Sequence, residues 1–145
     1  MNTFERATEV EKNSARVLKK YLKDTTKISY SLKKNNAKYG AFDYTLSTED
    51  KIILLEVKER IDTSSTTYPT TFLPVQKIDK LLSIEGVEVL VVLLFTDGYF
   101  LLDLDYADPV KRDTRPVYSP AHGCIIDREN YHYSIEDLIK IGDVE

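Results

Sequence analysis

The stretch AFDYTLSTEDKIILLEVK, residues 41–58, decides the fold that this chain is expected to adopt. Its second half, residues 52–58, is almost wholly apolar, which is typical of a strand buried on both faces inside a sheet. Its first half, residues 41–46, predicts another strand, and the polar residues 47–50 predict a turn between the two. The stretch therefore indicates a β-hairpin whose second strand is central to the protein.

Three charged residues interrupt this hairpin, and the expected register brings them together. If the turn centres near Glu49, facing residues have numbers that sum to about 98 or 99, so Asp43 lies opposite Glu56. Side chains alternate along a strand, so Glu56 and Lys58 project from one face and Val57 from the other. Two carboxylates and one ammonium group are therefore predicted to converge on one patch.

Such a group of charges suits the hydrolysis of phosphodiesters. Two carboxylates and the backbone carbonyl of Val57 are the kind of oxygen ligands that bind Mg²⁺ or Mn²⁺, and such a metal ion activates water and offsets phosphate charge. The ammonium group of Lys58 would orient the attacking water and stabilise the transition state. The alternative is that Glu56 and Lys58 lie at the exposed end of a strand and simply pair with Asp43.

Helices and further strands are predicted on either side of the hairpin. The first helix is amphipathic, with Thr3 as its N-cap and Phe4 on its apolar face. In chain order the predicted elements are a helix over residues 3–23, a strand over 28–32, the hairpin, a loop over 59–73 that contains one short extended piece, a helix from Pro74 to about 84, and strands over 87–95 and 99–104 joined at Asp97-Gly98. Helices that flank a mixed sheet define an α/β fold.

The last forty residues predict less regular structure. Prolines at 109, 116 and 120 punctuate the region, and residues 134–141 predict a short helix with Ser134 as its cap. No linker that would separate two domains is evident. We therefore expect a single domain over residues 1–145, with a core over about 3–105 and a C-terminal extension over 106–145.

The distribution of charge is more informative than its total. The chain of 145 residues has a net charge of −4, yet residues 1–40 carry ten basic and four acidic residues, a balance of +6. This basic third predicts a phosphate-binding face within an acidic protein. The alternative is that the cations merely solvate a helix. The nucleic-acid-binding residues predicted here are Lys12, Arg16, Lys19, Lys33, Lys34 and Lys38.

Several classes of protein are disfavoured by composition. A single cysteine excludes an internal disulfide and a thiolate-only metal site, and His122 with Cys124 offers too few ligands for zinc. No apolar run has the length of a membrane span, and the N-terminus lacks the apolar stretch of a signal peptide. A soluble cytoplasmic protein with no membrane partner is expected.

Asp43, the following turn and Leu54-Leu55-Glu56-Val57-Lys58 together resemble the signature of the PD-(D/E)XK nuclease superfamily. Its compact members include archaeal Holliday junction resolvases, restriction-endonuclease cores and phage exonucleases. The order of predicted elements over residues 3–95 is similar to that of the family, although Phe42 stands where proline is common. The resemblance implies a restriction-endonuclease-like α/β/α core with a mixed central sheet flanked by helices.

The resemblance also implies two further site residues. Members often carry a glutamate on the first helix, and Glu11 is the candidate for a direct or water-mediated contact with the metal. Its alternative is an ordinary surface glutamate. Members also often carry a polar residue at the start of the next helix, where Gln76 would support Lys58. Lys80 stands where exonuclease-like relatives have tyrosine, which disfavours that subgroup.

The sequence thus predicts a Mg²⁺- or Mn²⁺-dependent DNA endonuclease. Because one site cuts one strand, symmetric cutting of duplex or branched DNA requires a homodimer, and the small size favours a structure-specific enzyme such as a junction resolvase. The second hypothesis is a catalytically inactive member of the fold, which binds nucleic acid or protein in a phage or defence complex. A phage-encoded protein would act in the host cytoplasm, and RNA remains open as a substrate.

Overall fold

The hairpin of residues 41–58 lies within a six-stranded sheet in the computed structural model, which describes residues 2–36 and 41–144. Helix α1 spans Thr3–Thr26 and helix α2 spans Val75–Leu82. The strands are β1 (Ser31–Lys34), β2 (Tyr44–Ser47), β3 (Ile52–Glu59), β4 (Thr70–Pro74), β5 (Glu88–Phe95), β6 (Gly98–Asp103), β7 (Lys111–Ser119), β8 (Cys124–Ser134) and β9 (Ile139–Gly142).

The main sheet is mixed, as predicted. Its strand order is β1-β2-β3-β5-β6-β9. Strands β3 and β5 are parallel, with α2 in the connection between them, and the other neighbouring pairs are antiparallel. The long apolar strands β3 and β5 lie at the centre because only an interior strand buries both of its faces.

Alternate residues of β5 enter two separate apolar layers. Leu90 and Val92 pack on the side of α1, against Leu18 among others. Val91 and Leu93 pack on the opposite side, in the cluster that includes residues of α2. Each fully buried side chain of this kind contributes roughly 1.5–3 kcal/mol. The two layers confirm the predicted α/β architecture, in which helices cover both faces of the sheet.

A second sheet, which the sequence did not predict, completes the α2 layer. It has three strands in the order β4-β8-β7. Leu73 of β4 and Tyr133 of β8 are buried with Ile78 and Leu81 of α2 in one cluster. Only a short extended piece was expected in the 59–73 loop, and β7 and β8 were expected as irregular chain. Their pairing partners are distant in sequence, so local pattern does not reveal them.

The predicted C-terminal helix over residues 134–141 is wrong. Ser134 does act as a cap, and its hydroxyl accepts a hydrogen bond from the Glu136 N–H, but the turn that follows is a 3₁₀ helix over Ile135–Asp137. The chain then extends as β9 and pairs with β6. The open edge of β6 offers hydrogen bonds to a strand, and this tertiary partner overrides the weak helical pattern.

The boundaries of both helices also differ from the prediction. The N-cap of α1 is Asn2, whose side chain accepts a hydrogen bond from the Glu5 N–H, and Phe4 is 78% exposed instead of facing the core. Helix α1 continues one turn beyond residue 23, to Thr26. Pro74 ends β4 and occupies the N-cap position of α2, so the helix begins at Val75.

Within the described ranges, neither helix is long and apolar enough to cross a membrane.

Candidate metal-dependent site

Three hydrogen bonds hold Asp43 in place, and two of them join it to the middle of β3. Its backbone N–H donates to the Leu55 carbonyl at 2.8 Å, and its Oδ2 accepts from the Val57 N–H at 2.8 Å. On its other side, the Asn35 N–H donates to the Asp43 carbonyl at 2.9 Å. The two bonds to β3 bracket Glu56, so the carboxylate of Asp43 lies next to that of Glu56.

The register of this hairpin is one of the two predicted from a turn near Glu49. Tyr44 pairs with Leu55 and Ser47 pairs with Ile52, so facing numbers sum to 99 along the ladder. Asp43 precedes the ladder, and its N–H bond to Leu55 is one residue out of that register. This irregular bond keeps Asp43 close to Glu56, and the Asp43 side chain takes the place of a backbone carbonyl by accepting the Val57 N–H.

Glu56 is a buried carboxylate, only 2% exposed. Its Oε1 lies 2.7 Å from the Nζ of Lys77 and 3.6 Å from the Nζ of Lys58, whereas its Oε2 is buried without a hydrogen-bond partner. Burial raises the pKa of Glu56, the charge of Asp43 raises it further, and the two lysines oppose the rise. A buried oxygen without a partner is costly, and a ligand at this position would satisfy it.

Lys58 projects from the same face of β3 as Glu56, as predicted, while Val57 belongs to the apolar cluster on the opposite face. Burial lowers the pKa of Lys58, and the neighbouring charge of Lys77 lowers it further, against the opposing effect of Glu56. A lysine whose pKa is lowered gives up its proton more readily than a solvent-exposed one.

Glu11 lies at the margin of this group, half-buried on α1. Burial raises the pKa of Glu11 and the charge of Asp43 raises it further, so the two carboxylates are near enough to interact. Among the described residues, however, no three His, Cys, Asp or Glu side chains are grouped so as to hold a metal ion. The structure therefore brings Asp43 and Glu56 together and leaves Glu11 farther out.

Helix α2 contributes Lys77, which the sequence did not indicate, in addition to the predicted Gln76. Gln76 is exposed and lines an open cleft together with Lys58, whereas Lys77 forms the close ion pair with Glu56. With 3.6 residues per turn, Lys77 lies beside the buried Leu81 on the helix surface, and Gln76 lies farther round. That position beside the apolar stripe is the one sequence signal that could have identified Lys77.

The predicted phosphate-binding residues lie on α1 and the edge strand β1. Lys12, Arg16, Lys33 and Lys34 are exposed and Lys19 is half-buried, while Lys38 falls outside the described residues. A different group of cations lies closer to Glu56. It lines an open cleft of about 420 Å³, and its members are Lys58, Lys77, Lys80 and Arg128. Arg128 comes from β8, so this group was not visible in the sequence.

The residues present fit a divalent cation. Asp43 uses only Oδ2 for the Val57 N–H, and Glu56 has an unpartnered buried Oε2. In a strand the N–H and C=O of one residue point toward the same neighbour, so the Val57 carbonyl is directed to the side where Asp43 lies. Two carboxylates and a carbonyl are the oxygen donors that Mg²⁺ and Mn²⁺ accept in proteins.

The similarity to a solved structure agrees with this architecture. The structure of Hjc, a Holliday junction resolvase from the archaeal hyperthermophile Archaeoglobus fulgidus, superposes with a TM-score of 0.51, over 84% of this chain and 94% of that one. The chain has a restriction-endonuclease-like fold. The sequence identity is 12%, so the likeness is one of fold alone. Comparison with models of protein families gave no match, and comparison with curated protein sequences gave none.

Proposed function

We propose that this chain is a divalent-metal-dependent DNA endonuclease of the PD-(D/E)XK type. The observation that carries the proposal is the buried carboxylate of Glu56, which lies beside Asp43, contacts two lysines, and keeps one oxygen without a partner. The fold shared with a protein described as a Holliday junction resolvase supports it. The charge of Asp43 acts against that of Glu56, and a divalent cation bound by both carboxylates would relieve this repulsion.

Asp43, Glu56 and the Val57 carbonyl would hold the metal ion, with Glu11 in reach of it through water. Bound there, the metal supplies Lewis acidity that polarises the phosphodiester and offsets its negative charge. Lys58 donates a hydrogen bond to the attacking water and orients it toward phosphorus. Its lowered pKa helps it to exchange a proton during the reaction. Hydrolysis adds water across one P–O bond, which leaves a phosphate monoester on one strand end and a hydroxyl group on the other.

Lys77 and Gln76 act from helix α2. The ammonium group of Lys77, in contact with Glu56 at 2.7 Å, opposes the rise in the pKa of this carboxyl group. Gln76, in the cleft with Lys58, donates hydrogen bonds to the substrate backbone or to the ordered water. Because one such site cuts one strand, we propose a homodimer on duplex or branched DNA, with structure-specific cleavage as the mode.

Cleavage assays with matched variants test the proposal. Four-way junction, flap, duplex and single-stranded DNA, with RNA beside them, are incubated with Mg²⁺ or Mn²⁺. Glu56→Gln and Lys58→Ala should lower cleavage by at least a hundredfold while binding persists. Glu59→Gln is the matched control, since Glu59 follows on the same strand but pairs with Arg6 instead of the site. Full activity in Glu56→Gln would overturn the assignment.

A second candidate function is favoured by a specific observation. Glu56 already has Lys77 as a close partner, and no three-residue ligand group is present among the described residues. An inactive member of the fold, serving as a nucleic-acid-binding or protein-interaction module in a phage or defence complex, would show this arrangement. Calorimetric titration with Mn²⁺ separates the two candidates. Mn²⁺ binding that is abolished by Glu56→Gln supports the enzyme, whereas an absence of Mn²⁺ binding supports the module.

A further inference from the structure

A second cavity, of about 390 Å³, is lined in part by Arg60, which follows Glu56 by four residues along the chain. It lies between the loop of residues 61–69 and the three-stranded sheet formed by β4, β8 and β7. The described residues that line it include the cations Arg60, Lys111 and Arg115 and the hydroxyl groups of Thr63, Ser64 and Thr70, but no aspartate or glutamate. A volume in the range of about 300–1,000 Å³ is usual for small-ligand sites.

Arg60 connects this cavity to the candidate active site. It continues β3 beyond Glu59, since its N–H donates to the Leu94 carbonyl at 2.8 Å. Glu56, Lys58 and Arg60 therefore follow one another on one face of the strand, each about 6–7 Å from the next. A nucleic-acid strand with one phosphate at Glu56 would bring a neighbouring phosphate toward Arg60.

The guanidinium groups at the cavity are held in place before any ligand arrives. Arg60 and Arg115 both lie over the ring of Phe72, with distances of 4.9 and 5.4 Å from guanidinium carbon to ring centroid. Arg60 also donates to the carbonyl of Phe72 and to the Thr71 hydroxyl. Stacking on an aromatic ring orients the planar guanidinium, and a preorganised cation loses less entropy when it binds an anion.

The charge of the cavity is incompletely balanced by the protein. Asp113 accepts a hydrogen bond from the Nε of Arg115 at 3.1 Å, and its Oδ2 lies 2.9 Å from the Nε2 of the buried His132. Of the three cations that line the cavity, Arg115 is the one that pairs with the carboxylate of Asp113. On the other side, the cleft with Lys58, Lys77, Lys80 and Arg128 carries four cations, and Arg128 pairs directly with Arg115 across β7 and β8. Arg115, which lines the cavity, and Arg128, which lines the cleft, therefore lie opposite each other on neighbouring strands.

We propose that this cavity binds a backbone phosphate of the substrate strand next to the phosphate that is cut. The proposal rests on the nuclease function proposed above and assigns its nucleic-acid track to the outer face of the second sheet, not to α1 and β1. Arg60, Lys111 and Arg115 pair with the phosphate, and the hydroxyl groups of the loop donate hydrogen bonds to it. Fixing a neighbouring phosphate sets the position of the scissile one over Asp43 and Glu56.

The salt dependence of DNA binding tests this assignment without cleavage. The affinity for a fluorescein-labelled single-stranded DNA is measured by anisotropy in EDTA across a range of NaCl concentrations. The double variant Lys111→Gln with Arg115→Gln should bind at least tenfold more weakly at low salt. The slope of log K against log salt should fall by about 0.7 for each lost phosphate contact. Arg112→Gln is the matched control, because it lies on the same strand but pairs with Glu129 on the opposite face.

Each outcome decides between the two proposals. An unchanged slope in the double variant overturns the cavity, even if cleavage depends on Glu56 and the nuclease stands. A reduced slope supports the cavity as a nucleic-acid site, even if the wild type cuts nothing and the nuclease falls. An equal effect of Arg112→Gln also overturns the cavity, since it indicates non-specific attraction. If the double variant melts at a lower temperature than the wild type, the exposed Lys111→Gln alone carries the test.

Discussion

At the level of single residues, the buried carboxylate of Glu56 is the most unusual feature of the chain. A charged group removed from water is destabilising by several kcal/mol unless other charges and hydrogen bonds compensate. Here the compensation comes from Lys77 and, at longer range, Lys58, while Asp43 acts against it. The site is therefore maintained at some cost in stability, as is common where function requires a particular arrangement of charges.

Replacing Lys77 with methionine should reveal how much of this compensation it supplies. Lys77→Met keeps the aliphatic part of the side chain but leaves Glu56 with Lys58 alone. Because Lys77 is itself partly exposed, we expect a loss of about 1–2 kcal/mol in the free energy of unfolding, less than for a fully buried pair. Urea denaturation at pH 7 measures it. Lys80→Met, three residues on and exposed, should cost less than about 0.5 kcal/mol, and equal losses in both variants would contradict the prediction.

The buried phenol group of Tyr133 should make the free energy of unfolding depend on pH in the alkaline range. Its ring is 2% exposed, and burial raises the pKa of its phenol to about 12. The folded-state pKa is above the unfolded value of about 10, so the stabilisation is complete below about pH 10 and is lost as the pH rises from there through 12. Two pKa units correspond to a loss of about 3 kcal/mol.

Denaturation curves at pH 8, 10 and 11.5 measure this effect. Tyr133→Phe should lose less stability over that interval than the wild type. Tyr106→Phe is the control, since Tyr106 is a tyrosine that is 83% exposed. The same pH dependence in both variants would show that Tyr133 is not the responsible group.

Among the elements, the turn between β5 and β6 depends on a glycine for two reasons. Gly98 has a φ of +146°, which side chains rarely adopt. A Cβ placed there would also lie 2.7 Å from the carbonyl oxygen of Gly142 in β9. The close approach of β9 to this turn is what allows the last strand to pair with β6.

Gly98→Ala should therefore cost more than an ordinary glycine replacement. We expect a loss of about 2–3 kcal/mol, because backbone strain adds to displacement of β9. Gly86→Ala is the matched control, with a φ of +78° and no atom within 4 Å of the added Cβ, so strain alone acts there. Thermal unfolding followed by circular dichroism compares the two, and an equal or larger loss in Gly86→Ala would contradict the expected role of the contact.

For the whole molecule, the C-terminal forty residues are part of the structural core. Strand β9 extends the main sheet beside β6 and contacts α1, and β8 supplies Tyr133 to the cluster under α2. The segment that was predicted as a C-terminal extension thus contributes to the packing on both faces of the main sheet. Helix α2, which carries Lys77, packs on β4 and β8, so the second sheet also supports the candidate site.

Removing β9 tests this dependence. A chain that ends at Leu138 should unfold at lower denaturant and associate in solution, because its loss exposes the edge of β6 to other strands. A chain that ends at Gly142 keeps β9 and serves as the control. Urea denaturation and gel filtration compare them. Equal stability of the two truncated chains would show that the last strand does not contribute to the fold.

The parts of the fold that could be predicted are those encoded by local pattern. The continuous apolar residues of β3 and β5 predict interior strands, and the short turn after β2 sets the register that brings Asp43 to Glu56. The terminal helix was predicted wrongly because Ile135, Leu138 and Ile139 follow the i, i+3, i+4 spacing that is typical of a helix. The segment that begins at Ile139 forms strand β9 and not a helix because the edge of β6 is free to pair with it. The location of that edge cannot be predicted from neighbouring residues.

By itself, the sequence determined the charged trio Asp43, Glu56 and Lys58, since alternation along a strand and the length of one turn are short-range constraints. It also determined the chain order of the elements of the main sheet from α1 to β6, but not the last strand, β9. Only the tertiary structure decided that Lys77 reaches Glu56, that Glu11 stays at the margin, and that the second sheet places Arg128 in the cleft with Lys58. These contacts join residues far apart in sequence, and their geometry follows from packing of whole elements against the core.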